Sequence, residues 1–260
     1  MGNDVIENVI VLGLFASLAA GLATGVGALP ALFIRRISDR MMDTMLGGAA
    51  GVMLAATSFS LIVPAIEYGN RVWGGSGVFM AVIGIFAGAV FLDRIDKWVP
   101  HTHFVKGAEG PSSSLRKTWL FVLAITIHNF PEGMAVGVGF GSGDIGSATA
   151  LAIGIGLQNM PEGLAVALPL LREKYTRWAA FGVAALSGLV EPIGGLLGVS
   201  LVVIFQPVLP FALAFAGGAM LFVISDEIIP ETHTRGNERI STFGVIIGFI
   251  IMMALDNLLG

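Results

Sequence analysis

The chain contains no cysteine. That excludes disulfides, thiolate metal ligands and cysteine nucleophiles, and leaves no redox clue to compartment. Charge is scarce too. Only 12% of residues are Asp, Glu, Lys or Arg, against ~25% in an average soluble domain. The zinc-protease pattern His-Glu-x-x-His is absent, and no serine stands in a nucleophile setting. These gaps argue against an enzyme, and no catalytic or cofactor-binding residue and no prosthetic group is expected. No nucleic-acid partner is expected either. The first positive residues, Arg35 and Arg36, follow the first apolar run, while Asp4 and Glu7 precede it. A cleaved signal peptide has the opposite charge order. Ile6 stands where a myristoylation motif wants Ser or Thr.

What is present is apolar: 55% of the 260 residues are hydrophobic. Runs of roughly 20 such residues span a bilayer. Eight are read, at about 5–33, 44–66, 76–97, 118–140, 146–170, 177–204, 208–229 and 241–259. The expected fold is therefore all-α: a polytopic membrane protein and a single domain over 1–260. The connection 98–117, the longest break, is polar and Ser/Gly-rich, and reads as mobile.

Thirteen of the fourteen Lys and Arg residues fall in the connections after helices 1, 3, 5 and 7. They are Arg35, Arg36 and Arg40; Arg94, Lys97, Lys106, Arg116 and Lys117; Arg172, Lys174 and Arg177; and Arg235 and Arg239. Only Arg71 is on the other side. The positive-inside rule makes those connections cytoplasmic and both termini extracytoplasmic. Helix 2 carries Gly51-Val52-Met53-Leu54 and ends near Pro64; helix 7 carries Gly218-Ala219-Met220-Leu221 and ends at Pro230. Their opposite directions point to an inverted repeat.

Two stretches carry the chemistry. His128-Asn129-Phe130-Pro131-Glu132-Gly133 and Gln158-Asn159-Met160-Pro161-Glu162-Gly163 share one pattern in consecutive helices. Ionisable groups at mid-bilayer cost ~2.5–3.5 kcal/mol each on insertion scales and mark ion or substrate paths. Four-residue spacing places His128 with Glu132, and Gln158 with Glu162, on one helix face. Asn129 and Asn159 sit about 100° further round. Pro131 and Pro161 free the carbonyls of Ile127 and Leu157. Glu191, followed by Pro192, lies at the centre of helix 6. Three carboxylates at one depth repel unless protonated or bridged by cations. One imidazole, three carboxylates and amide oxygens suit Zn, Fe, Mn, Co or Cd better than Cu(I) or Mg.

On these residues the chain resembles the ZIP (Zrt/Irt-like) divalent-metal transporters, and is most similar to their bacterial GufA-like branch. The motifs are 128–133, Asn159 to Ala167, Glu191-Pro192 and Asp226 to His233. The resemblance covers the whole chain. It implies an inverted-repeat (3+2+3) bundle, a homodimer in the bacterial inner membrane, and divalent metal, zinc foremost with Cd, Fe or Mn as alternatives, moving into the cytoplasm. It implies a binuclear centre between helices 4, 5 and 6. One position uses His128, Glu132, Gln158 and Glu162. The other uses Asn129, Glu132, Asn159, Glu162 and Glu191, with Glu132 and Glu162 bridging. In the close branch an aspartate often stands at 159. Asn159 keeps an oxygen but drops a charge, which weakens the second position. The resemblance also implies movement of helices 1, 4, 5 and 6 against 2, 3, 7 and 8.

Acids cluster on the outer face, and acids at a mouth concentrate cations. Glu67 and Asp256 stand near the ends of helices 2 and 8, within reach of each other, and the resemblance makes them candidates for the entrance. Met53 and Ser60 are candidates for the path. On the inner side Asp96, His101 and His103 are candidates for release, and Asp226 and Glu227 are read near the inner end of helix 7, beside His233. A passive metal channel and an intramembrane metalloenzyme are the rival readings. The enzyme would need an open water position and a general base.

Overall fold

A computed structural model describes residues 3–34, 38–103, 107–109, 117–233 and 236–259. Among them, eight helices are long and apolar enough to cross a membrane: α1 (Asn8–Leu32), α2 (Asp39–Val72), α3 (Gly77–Ile95), α4 (Thr118–Gly141), α5 (Ile145–Arg172), α6 (Arg177–Ile204), α7 (Gln206–Thr232) and α8 (Glu238–Leu259). The protein is an integral, multi-pass, all-α membrane protein. Polar caps start several helices. The Ser38 hydroxyl accepts from Met41 N (3.2 Å), Asp144 from Ser147 N (3.2 Å) and Thr176 from Ala179 N (3.1 Å), each satisfying an N–H that the first turn leaves free.

α2 runs well past the expected 44–66. Pro64 does not end it. Residues Ala56–Ile62 widen into a π-helical turn just before Val63-Pro64, and α7 does the same at Ile224–Ile228 before Ile229-Pro230. A proline has no N–H for the carbonyl four residues back, and a wider turn lets the helix continue past it. The connection after α3 holds regular structure among its described residues. It carries β1 (His101–His103) and β2 (Gly107–Glu109), antiparallel, with His101 opposite Glu109 and His103 opposite Gly107. The ladder satisfies backbone groups that a free loop would leave to water.

The inverted repeat is legible in the glycine contacts. A side chain at Gly21 would strike the Gly188 carbonyl, and one at Gly188 the Gly21 carbonyl. Such reciprocity between equivalent residues occurs only on a two-fold axis. A constant displacement of 167 relates α1 and α2 to α6 and α7 (Gly21 to Gly188, Gly27 to Gly194, Gly51 to Gly218). Gly27 abuts the Met160 carbonyl of α5, and Gly194 abuts the Phe130 carbonyl of α4. Gly84 and Gly88 of α3 abut Phe211 and Phe215 of α7; Gly244 and Gly248 of α8 abut Thr44 and Gly48 of α2. The halves also match in burial: α1 and α6 at 39% and 44%, α2 and α7 at 61% and 67%, α3 and α8 at 22% and 17%, α4 and α5 at 71% and 67%. The central helices are thus α2, α4, α5 and α7. α3 and α8 lie outside, presenting Phe79, Phe86, Ile247 and Ile250 outward as a lipid-facing surface.

The close contacts also divide the bundle. At the described helical glycines, backbone meets backbone only within α1, α4, α5 and α6, or within α2, α3, α7 and α8. Between the two sets, a glycine contact is made by side chains: Gly154 of α5 faces the Met252 side chain of α8 and the Val52 side chain of α2. Backbone contact through small residues packs membrane helices tightly. Each set is therefore internally tight, and softer side chains fill the seam between them.

Candidate metal centre

α4, α5 and α6 bring His128, Asn129, Glu132, Gln158, Asn159, Glu162 and Glu191 together, and none is more than 4% exposed. Two local devices position them. Pro131 and Pro161 stand inside α4 and α5 one residue before each glutamate. α6 breaks at Leu189-Val190, and Glu191 opens its second segment, Glu191–Ile204, with Pro192 in the first turn. Proline is favoured there because its missing N–H is not needed, and the positive end of the helix dipole favours the carboxylate. Gly133 lets α4 approach the backbone of Glu191 itself.

Amide groups hold the site. Gln158 Nε2 donates to Glu132 Oε1 (2.6 Å). Asn159 Nδ2 donates to Glu191 Oε1 (2.6 Å) and to the Ala20 carbonyl of α1 (2.9 Å). Asn129 Nδ2 donates to the Ser187 carbonyl of α6 (3.0 Å). Ala20 and Ser187 are again related by the 167-residue displacement, so the two asparagines are anchored as two-fold mates. Seven buried oxygens remain without a hydrogen-bond partner among the described residues: Asn129 Oδ1, Glu132 Oε2, Gln158 Oε1, Asn159 Oδ1, both oxygens of Glu162, and Glu191 Oε2. Native proteins leave few buried polar atoms unpaired, and each costs roughly 1–3 kcal/mol. Their concentration at one place is the chemistry of a cation site. Among the described residues no three His, Asp or Glu groups are spaced to close around one ion. The pairs explain that: amide N–H groups stand against Glu132 and Glu191, where a cation would have to come.

The structure adds a residue that sequence reasoning placed elsewhere. Glu227, read as lying toward the inner end of α7 beside His233, is buried against the centre, with Oε1 2.6 Å from His128 Nε2. His233 instead bonds the Ile229 carbonyl (2.9 Å) and Thr242 of α8 (3.1 Å). The signal for Glu227 was available in the repeat, which pairs it with Ser60 in the matching π-helical turn of α2. Ser60 donates to Asp256 Oδ1 (2.6 Å), joining α2 to α8, and lines a small cavity of about 20 Å³ with Pro64, Tyr68 and Asp144. Asp256 is thus held by Ser60, while Glu67, two turns further along α2, is exposed. Met53 is fully buried in the core. The side chains of Asp96, His101 and His103 lie outside the described residues.

The family described as "ZIP Zinc transporter" matches residues 105–256. The chain is 44% identical to zinc transporter GufA of Myxococcus xanthus over 95% of this chain and 99% of that one. It is 44% identical to zinc transporter ZIPB of Bordetella bronchiseptica over 99% of this chain and 84% of that one. The chain belongs to the ZIP family. A more distant ZIP relative, zinc transporter ZIP11 of Homo sapiens, is 36% identical over 85% of this chain and 89% of its own. All three relatives carry the names of transporters, not enzymes. The matched segment takes in α4, α5 and α6, and so every member of the buried donor set described above.

Proposed function

We propose that this ZIP protein carries divalent transition-metal ions, zinc foremost, across the bacterial inner membrane into the cytoplasm. The observation that carries the reading is the set of seven unpartnered oxygens beside an imidazole, buried at mid-membrane on three helices. His128, Glu132, Gln158 and Glu162 form the principal position. Asn129, Asn159 and Glu191, with the two shared glutamates, form a weaker second one. The His128–Glu227 contact must open before zinc takes the ring nitrogen. This pair joins α4 to α7, across the seam between the two helix sets, so metal binding and relative movement of the sets are coupled at one bond. The distribution of basic residues supports extracytoplasmic termini, with metal arriving by way of Ser60 and Asp256.

The deciding experiment encloses a zinc-sensitive dye in liposomes bearing the purified protein. Wild type is expected to give zinc influx that saturates with external zinc. His128→Ala is expected to cut that influx by at least about tenfold. Undiminished influx in the variant would sink the reading, and flux that rises linearly without saturation would favour a channel.

Asn159 allows a second test. Its amide nitrogen faces a carboxylate and a carbonyl, both acceptors. Asn159→Asp removes the donor and sets two carboxylates side by side. The expected result is a lower melting temperature without metal, a larger rise on adding zinc, and about tenfold tighter binding at the second position. A zinc titration with unchanged affinity and stoichiometry would contradict the assignment of Asn159.

A further inference from the structure

The two-fold repeat pairs anchors of the centre across its axis. Gly133 of α4 abuts the backbone of Glu191 on α6; its mate, Gly163 of α5, abuts the backbone of Thr24 on α1. Thr24 and Glu191 differ by the same 167 that relates Gly21 to Gly188, Gly27 to Gly194 and Ala20 to Ser187. Thr24 therefore occupies on α1 the position that Glu191 occupies on α6.

Its side chain behaves unlike a packing threonine. Thr24 is fully buried, and its hydroxyl has no hydrogen-bond partner among the described residues. A helical threonine ordinarily donates to the carbonyl four residues back. Here that carbonyl belongs to Ala20 and receives the Asn159 amide instead (2.9 Å). The hydroxyl lies against Gly188, where an added methyl would stand 2.9 Å from it. Gly188 follows Ser187, whose carbonyl holds Asn129. Asn129 Oδ1 is itself without a hydrogen-bond partner among the described residues. The two-fold axis thus sets Thr24 and Asn129 against Glu191 and Asn159, and the Thr24 hydroxyl and Asn129 Oδ1 have no hydrogen-bond partner among the described residues.

We infer that Thr24 is the α1 member of the metal centre, its hydroxyl holding a water bound to the ion at the second position, across from Glu191. The inference rests on the metal-carrying reading above and extends it to a fourth helix. A neutral hydroxyl where the repeat would put a second carboxylate makes the centre unequal about its axis. It leaves the second ion with one acidic wall and one hydrogen-bonding wall. Outer contacts of this kind are worth 10–100-fold in metal affinity.

The test is a calorimetric zinc titration of the full-length protein in detergent, alongside melting of the metal-free form. Thr24→Val keeps the shape and removes the hydroxyl; Thr24→Ser keeps the hydroxyl. Expected is a loss of about tenfold in affinity at the weaker position for Thr24→Val, with the stronger position unchanged, and recovery in Thr24→Ser. The metal-free melting temperature of Thr24→Val should equal or exceed that of wild type, because an unpaired hydroxyl has been removed. Wild-type affinity at both positions in Thr24→Val would overturn the inference while leaving the transport reading intact. Equal loss in Thr24→Val and Thr24→Ser would overturn it as well, showing a packing role. If Thr24→Val does not fold, Thr24→Ala decides by the same comparison. Absence of zinc binding by the wild type would instead overturn the transport reading.

Discussion

Glu162→Met is expected to make the metal-free protein more stable and to abolish zinc transport. Glu162 is 4% exposed and neither of its oxygens has a hydrogen-bond partner among the described residues. Leaving such atoms unpaired costs roughly 1–3 kcal/mol each. Methionine keeps about the same volume and flexibility without a polar atom. Replacing buried charge by apolar groups of similar shape is often stabilising, so a gain of about 2 kcal/mol is expected. Melting of the metal-free variant above wild type, with no further rise on adding zinc and no influx in liposomes, would establish that the site is held open against folding energy. A lower melting temperature would show that Glu162 has a structural partner, and retained influx would remove it from the transport site.

Gly188→Ala is expected to be among the most damaging small substitutions in the protein, and Gly182→Ala, six residues earlier on the same helix segment, among the least. A methyl at Gly188 meets the Gly21 carbonyl on the two-fold axis, whereas a methyl at Gly182 meets nothing within 4 Å. Backbone cannot rotate away as a side chain can. α1 and α6 must separate, taking with them Ser187, Glu191 and Thr24. A loss of roughly 3 kcal/mol is expected for Gly188→Ala, and a gain of roughly 0.5–1 kcal/mol for Gly182→Ala from helix propensity alone. The two melting temperatures should therefore move in opposite directions from wild type, and the Gly188 variant should also lose zinc binding. Two equal shifts would mean that the axis contact carries no special load.

The paired Asn-x-Pro-Glu-Gly motifs were legible because they rest on local rules. Four-residue spacing puts His128 beside Glu132, and the length of an apolar run sets its depth. The inverted repeat showed only faintly, through Gly51 and Gly218. Its full extent depends on which carbonyl each glycine touches, and a sequence does not state that. Glu227 was misplaced for a related reason. Counting residues along α7 places Glu227 toward one end of the helix but does not say which way it faces, and Glu227 lies within the π-helical turn at Ile224–Ile228, which turns it relative to a regular helix. Nearness to helix ends brings Glu67 and Asp256 within reach in the sequence, but Asp256 bonds Ser60, two turns back along α2.

By itself, then, the sequence determined the number of spans, the likeness to the ZIP family, and the polar side chains that α4, α5 and α6 carry at one depth. Each depends on hydrophobicity, periodicity or motif, and so on residues near one another in the chain. Only the tertiary structure decided which donor faces which: Ser60 to Asp256, His128 to Glu227, Asn159 to Ala20 and Glu191. Those pairings are made between helices far apart in sequence. Within each helix set they follow from close backbone packing at glycine, a residue whose contribution lies in the neighbour it allows to approach; His128–Glu227 crosses the seam between the sets.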